Sequence, residues 1–158
     1  MRIAILTISD SVALAEREDL SGPALAARCR GLGWDVNSAM RCSDDPEQVR
    51  NQIRSITDRG DTDILLTSGG TGLGPRDNTP EATLDLADRT IPGLAEEIRR
   101  AGAQKTPTAL LSRGVAIIRN KTIVINLPGS PTGAIESLNI VAHLLPHAVE
   151  VLRGARHD

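Results

Sequence analysis

The sequence contains no phenylalanine and no tyrosine, and Trp34 is its only aromatic residue. A core without rings must be filled by Ile, Leu, Val and Ala, a filling that suits a parallel sheet buried under helices. Lysine is nearly missing too, since Lys105 and Lys121 are the only lysines among 18 basic residues. A phosphate loop built on a lysine ammonium is therefore disfavoured, and any grip on phosphate falls to planar guanidinium forks or backbone amides. The two cysteines, Cys29 and Cys42, lack paired spacing, which excludes a disulfide scaffold and a thiolate metal site and fits a reducing compartment. No stretch approaches the ~20 apolar residues of a membrane span. Thr7, Ser9 and Asp10 interrupt the apolar start too early for a secretory core, so a cytoplasmic location without a membrane partner is expected. An excess of one charge is also absent: 18 basic and 20 acidic residues leave a net charge of -2, and a nucleic-acid partner is not expected.

What is present is an alternation of short apolar strands with helices, in a length of 158 residues that suits one domain. Strands are predicted at 2–8, about 34–40, 63–67 and 122–127, with a further one near 115–119 that can pair with its successor through Arg119-Asn120-Lys121. Helices are predicted at about 23–32, 46–59, 80–89, 93–104 and 131–152. Gly22-Pro23, Asp45-Pro46, Thr79-Pro80 and Ser130-Pro131 read as helix starts, because proline has no N–H to waste in a first turn. Thr79 and Ser130 add a hydroxyl at the cap position. Pro146 falls inside the last helical stretch and should kink or split it. The order implies an α/β fold, a single domain over 1–158, with helices on both faces of a mostly parallel sheet. Its ligand crevice should lie beyond the carboxyl ends of the strands.

The segment Thr67-Ser68-Gly69-Gly70-Thr71-Gly72-Leu73-Gly74-Pro75-Arg76-Asp77-Asn78-Thr79-Pro80 follows the buried strand Asp63-Ile64-Leu65-Leu66. Four glycines let the backbone approach a ligand and turn successive N–H groups toward an anion, with phosphate the natural candidate. Neither familiar nucleotide motif is matched: Pro75 and Arg76 stand where Lys and Ser/Thr complete a phosphate loop. Asp77 can be an Asx-turn residue, or it can hold Mg²⁺ beside bound phosphates, which a hydrated ion does through one or two carboxylates. After the second strand, Asp45 reads as the cap of the next helix, and Asp44 is left without a structural duty. In a parallel sheet Asp44 would lie at the same edge as Asp77. Asn126-Leu127-Pro128-Gly129-Ser130-Pro131 again runs from a strand into a helix start, a second possible anion seat. The first strand adds the polar run Thr7-Ile8-Ser9-Asp10-Ser11. His143 and His147 have zinc-pair spacing but enclose Leu-Leu-Pro rather than a Glu base, and a lone Ser112-Arg113 usually belongs to the surface.

Together Thr67 to Gly72, Arg76 to Glu81 and Asn126 to Pro131 resemble the molybdopterin-binding (MogA/MoaB) family. Ile5-Leu6-Thr7-Ile8-Ser9-Asp10, Ile91-Pro92-Gly93-Leu94 and Leu111-Ser112-Arg113-Gly114 match as well, so the resemblance runs from about residue 3 to 152. It implies a three-layer α/β/α fold, usually a homotrimer, that binds molybdopterin and activates it by Mg-dependent adenylylation with ATP. It assigns the catalytic, metal-holding carboxylates to Asp44 and Asp77. It assigns substrate binding to Ser9, Asp10, Ser68, Gly69, Gly70, Thr71, Gly72, Asn126, Pro128, Gly129 and Ser130. Ser43 stands where relatives often carry proline before the first carboxylate, and the spacing favours Asp44 over Asp45. A downstream molybdate insertase is an implied partner. The alternative within the same fold is a protein that binds molybdopterin without turnover.

Overall fold

A computed structural model describes residues 1–156. Six strands form one sheet in the order β2-β1-β3-β6-β5-β4. The first four positions, β2 (Asp35–Cys42), β1 (Arg2–Ile8), β3 (Ile64–Ser68) and β6 (Thr122–Leu127), are mutually parallel. β5 (Ala116–Arg119) and β4 (Arg89–Thr90) complete the sheet in antiparallel pairings. Asn120 turns the β5–β6 hairpin at a φ of 52, a left-handed conformation that asparagine tolerates better than most residues.

Side chains alternate across the central strands and so build two cores. Ile3, Ile5, Ile64, Leu66, Ile123 and Ile125 pack against α2 (Ser21–Gly31), α5 (Pro92–Gly102), α6 (Pro131–Val141) and α7 (Leu145–Leu152). Ala4, Leu6, Ile8, Leu65 and Val124 face the other way, against α3 (Pro46–Asp58) and α4 (Thr79–Leu84). The three-layer α/β/α expectation holds, and the aliphatic filling is what lets one sheet be buried on both sides. Both cysteines are buried, which pushes the Cys29 thiol up to about 11 and the Cys42 thiol to about 12; neither carries thiolate chemistry at neutral pH.

Several boundaries move, each for a physical reason. The second strand extends past its expected end to Cys42 because it lies at the sheet edge, where Arg41 can point to solvent while its backbone still pairs with Thr7. The expected helix 80–89 stops at Leu84, and Arg89–Thr90 instead pairs with Ile117 and Ile118 as an outer strand. The long helix at 131–152 is divided by a 3₁₀ turn at Ala142–Leu144, with Pro146 in the first turn of α7, where its missing N–H costs nothing. Ser130 caps α6, accepting from the Gly133 N–H at 3.1 Å. The other expected starts differ. Asp19 Oδ1, not Pro23, marks the entry to α2 by accepting from the Gly22 N–H at 2.9 Å. Asp45 holds the cap position of α3 without a side-chain bond, and Thr79 lies inside α4 with Asn78 as its cap residue. The short α1 (Asp10–Ala13) and the 3₁₀ turn Pro107–Leu111 were not expected from the sequence.

At the end of the sheet away from the glycine loops, Asp63 has a side chain only 2% exposed and joins three elements. It accepts from the Arg2 backbone N–H at 2.7 Å, from the Arg2 guanidinium at 2.9 Å and from Arg153 at 2.6 Å. Burial alone would raise its carboxyl; the Arg2 and Arg153 donors outweigh that and hold it at about 2, below the ordinary 3.8. A depressed carboxylate stabilises the fold fully above its unfolded value, and this contribution disappears as pH falls from about 4 to about 2. Replacing Asp63→Asn should therefore lower stability at pH 7 by about 2 kcal/mol and flatten the acid limb of the stability curve. Urea titrations at stepped pH give both quantities, and an unchanged acid limb would contradict this role.

Candidate active site

Parallel register brings the loops after four strands to one level. Ile8 pairs with Cys42, Thr7 with Ser68, and Ser68 with Leu127, so each chain leaves the sheet at the same edge. Beyond that edge lies a cleft of about 460 Å³, whose lining includes Thr7, Ser9, Asp44, Ser68, Gly69, Gly70, Asp77, Gly129 and Ser130. A neighbouring groove of about 580 Å³ contains Thr71, Gly72, Pro128 and again Ser130 in its wall. Ser130 thus stands where the two depressions meet. Among the residues singled out by sequence, Asp10 lines neither, its carboxylate being engaged by Arg76 and the Asp44 amide, and nor does Asn126. Asn126 is 4% exposed, donates to Thr67 Oγ1 at 2.9 Å and Thr83 Oγ1 at 3.1 Å, and accepts from the Val115 N–H at 3.2 Å. All of its amide bonds serve the scaffold behind the cleft.

The floor is made by backbone meeting backbone. Gly69 has a φ of 110, and a Cβ there would overlap the Ile8 carbonyl oxygen; a Cβ on Gly129 would lie 3.3 Å from Gly69 Cα. Gly70, at a φ of 67, presses against Thr79, whose buried hydroxyl has no hydrogen-bond partner among the described residues. The Gly69 N–H donates to the Leu127 carbonyl at 3.1 Å, and the Thr79 N–H returns to the Gly70 carbonyl at 3.1 Å. Ser68 Oγ donates to the Pro128 carbonyl at 2.8 Å, tying the two glycine loops together.

The acids form a linked set. The Asp10 N–H donates to Asp44 Oδ2 at 2.9 Å, and the Asp44 N–H donates to Asp10 Oδ1 at 3.0 Å. This reciprocal pair joins the first turn of α1 to the loop after β2, and it corrects the expectation that Asp44 has no structural duty. Arg76 reaches back from the glycine-rich loop as a fork onto Asp10, with both contacts at 3.0 Å. Burial lifts the Asp44 carboxyl above its usual range; the Asp10 amide opposes the rise, while the charges of Asp10 and Asp77 add to it. Asp10 moves the other way, held down by the Arg76 guanidinium and by the Asp44 amide. Asp77 lines the cleft, and its Oδ2 accepts from the Gly74 N–H at 2.9 Å, three residues back, rather than from a residue further on as the expected Asx-turn would have it. Asp45 does not line it.

Sequence reasoning assigned Arg113 to the surface, and the structure corrects that. Its guanidinium donates to the Gly72 carbonyl at 2.8 Å and the Asp77 carbonyl at 2.5 Å, and it is ion-paired with Glu81. An arginine in a stretch between helix and strand carries no local sign of this, because its partners lie over thirty residues away in the chain. Among the described residues, Arg17 is the only basic one in the lining of the first cleft, another feature that only the fold reveals.

Comparison with known proteins decides what such a site belongs to. Residues 4–147 match the family model described as a probable molybdopterin binding domain. The chain belongs to that family. It is 33% identical to the molybdopterin adenylyltransferase of Escherichia coli K12, over 98% of this chain and 86% of that protein. It is 39% identical, over 97% of its length, to a molybdenum cofactor biosynthesis bifunctional protein of Synechococcus elongatus, of which it covers 48%; the chain spans about half the length of that relative. The crystal structure of the molybdopterin biosynthesis enzyme MoaB of Thermus thermophilus superposes with a TM-score of 0.91 at 46% identity, over 99% of both chains. Among the described glycines of this molybdopterin-binding domain, Gly69 is the one where an added Cβ would come nearest to another atom, and that atom is backbone. A Gly69→Ala variant should lose roughly 1–3 kcal/mol from its φ and the overlap with Ile8, measurable as a lowered denaturation midpoint. An unchanged midpoint would show that the loop can open without cost.

Proposed function

We propose that this chain is a molybdopterin adenylyltransferase of molybdenum cofactor biosynthesis. The observation that carries the reading is the meeting of Asp44 and Asp77 on one cleft whose floor is a side-chain-free glycine cradle. The name and 33% identity of the Escherichia coli relative support it. In the proposed reaction, the terminal phosphate oxygen of molybdopterin attacks the α-phosphorus of ATP. The bond from that phosphorus to the bridging β-oxygen breaks, and pyrophosphate leaves with its electron pair. Adenylylated molybdopterin is the product, with no covalent enzyme intermediate.

The chain's contribution is alignment of two polyanions. The Gly70 and Gly129 backbone and the N-terminus of α6 border the cleft and would meet the phosphates there. Arg76 and Arg17 supply the nearby positive charge. Among the described residues, no group of three His, Cys, Asp or Glu is gathered closely enough to hold a metal by itself. That agrees with an ion that keeps most of its waters and takes one or two carboxylates together with substrate phosphates. Asp44 and Asp77, which line the same cleft, are the residues that would hold Mg²⁺, and the ion would offset phosphate repulsion. His143 and His147 have no part in this. Assembly as a homotrimer, a cytoplasmic location and hand-over of the product to a molybdate insertase belong to the same proposal; light scattering checks the trimer.

A second reading has a specific observation in its favour. Asp44 Oδ2 and Asp77 Oδ2 each accept a backbone hydrogen bond that the fold needs, so a protein that only holds molybdopterin would keep both acids. Pyrophosphate release from molybdopterin, ATP and magnesium separates the two. Turnover is expected in the parent, with a loss of roughly 10²-fold in Asp77→Ala and in Asp44→Ala and near-parental rates in Asp45→Ala. Tight molybdopterin binding without pyrophosphate would establish the binding-only protein. An Asp77→Ala variant as fast as the parent would remove that carboxylate from the chemistry.

A further inference from the structure

Asp77 stands at the end of an exposed segment held by the fork of Arg76 on Asp10 and by the Thr79 N–H on the Gly70 carbonyl, neither of which bonds Asp77 itself. Residues 73–76 are exposed, and the chain between β3 and α4 forms no strand or helix. Its internal support is one turn, in which the Asp77 N–H donates to the Gly74 carbonyl at 3.0 Å and Asp77 Oδ2 accepts from the Gly74 N–H. A carboxylate on such a loop would wander, and a misplacement of ~1 Å is enough to cost about 10²-fold in an aligned reaction.

Arg113 adds a constraint on the backbone of Asp77 itself. Its own backbone N–H donates to the Thr71 carbonyl at 2.9 Å, so main chain meets main chain first. Its side chain then bonds the loop at both ends, Nε to the Gly72 carbonyl at 2.8 Å and one terminal nitrogen to the Asp77 carbonyl at 2.5 Å. The other terminal nitrogen meets Glu81, one turn into α4, which fixes the plane of the fork. Arg113 is itself anchored. Arg99 of α5 donates to the carbonyls of Ser112 at 3.3 Å and Gly114 at 2.8 Å, on either side of it. A continuous chain of bonds therefore runs from a packed helix through two guanidinium groups to the backbone of Asp77.

We propose that Arg113 is a positioning residue for Asp77: it spans the ends of the glycine-rich loop and fixes where that carboxylate stands in the cleft. The inference rests on the adenylyltransferase reading for its kinetic part only. A lysine in this place keeps the charge but has a single nitrogen, which cannot serve Gly72, Asp77 and Glu81 from one plane. Arg113 acts through Asp77, so its effect should vanish once the Asp77 carboxylate is gone.

The test compares Arg113→Lys with the parent, singly and in an Asp77→Ala background, with amide exchange followed by mass spectrometry in each. Arg113→Lys should lower kcat roughly tenfold or more while KM for molybdopterin moves less than about threefold. It should add no further loss to Asp77→Ala, and exchange should quicken over residues 72–78 but not in the sheet. Glu81→Gln, which leaves the fork in place and an acceptor beside it but removes the charge that orients it, should shift both readouts in the same direction by less, and covers the case of an Arg113→Lys chain that does not fold. Full kcat in Arg113→Lys, or an equal further loss in the Asp77→Ala background, would overturn the proposal. If the parent releases no pyrophosphate, the adenylyltransferase reading fails by itself. Exchange over 72–78 then decides the brace alone, and a rate unchanged in Arg113→Lys would overturn it.

Discussion

Everything at the carboxyl edge of the sheet depends on how closely three loops can approach one another there. Gly69 sits against the Ile8 carbonyl, and Gly129 sits against Gly69; a single Cβ at either contact would push the loop after β3 away from its neighbours. Side chains arriving from the loops after β1, β2 and β3 can share one small cleft because the backbones beneath them have already met. Parallel register sets the level, and the absence of side chains sets the spacing. The charges come last. Reciprocal bonds between Asp10 and Asp44, and the fork of Arg76, operate across distances that the glycine contacts have fixed.

The polar arrangement above this floor makes each acid do two things. Asp44 closes the first turn of α1 and faces the cleft, while Asp77 closes its own turn and faces the same cleft. A carboxylate with one oxygen held by a backbone amide keeps its orientation and leaves the other oxygen for a ligand, so structural engagement and function are compatible here. Burial is the main reason the Asp44 carboxyl is raised, with the charges of Asp10 and Asp77 adding to it, and a cation beside Asp44 would offset that added contribution.

How much of this could be read from the sequence depended on whether a signal was local. The alternation of Ile3 and Ile5 with Ala4 and Leu6 gave the two-faced buried strand, and the proline-led starts at Pro46, Pro80 and Pro131 placed helices to within a residue or so. Pro146 foretold the break between α6 and α7. The glycine-rich stretch after Leu66 identified the cleft, and the resemblance named its family. Long-range bonds left no such trace. Asp44 looked unemployed because its partner, the Asp10 amide, is 34 residues away, and Arg113 looked like a surface residue because its carbonyl partners lie 41 and 36 residues back. Asn126 was placed with the ligand contacts because it shares a motif with Gly129, yet strand alternation turns its amide into the core. The short β4 was hidden since two residues, Arg89 and Thr90, hold no period, and only pairing with Ile117 and Ile118 makes them a strand.

The most direct measurement is a crystal structure of the protein with a non-hydrolysable ATP analogue and magnesium. The account predicts phosphate oxygens on the Gly70 amide of the cradle, the Gly69 amide being taken by the Leu127 carbonyl, and the ion between the free oxygens of Asp44 and Asp77. Phosphates bound outside that cleft, or an ion held by neither acid, would contradict it.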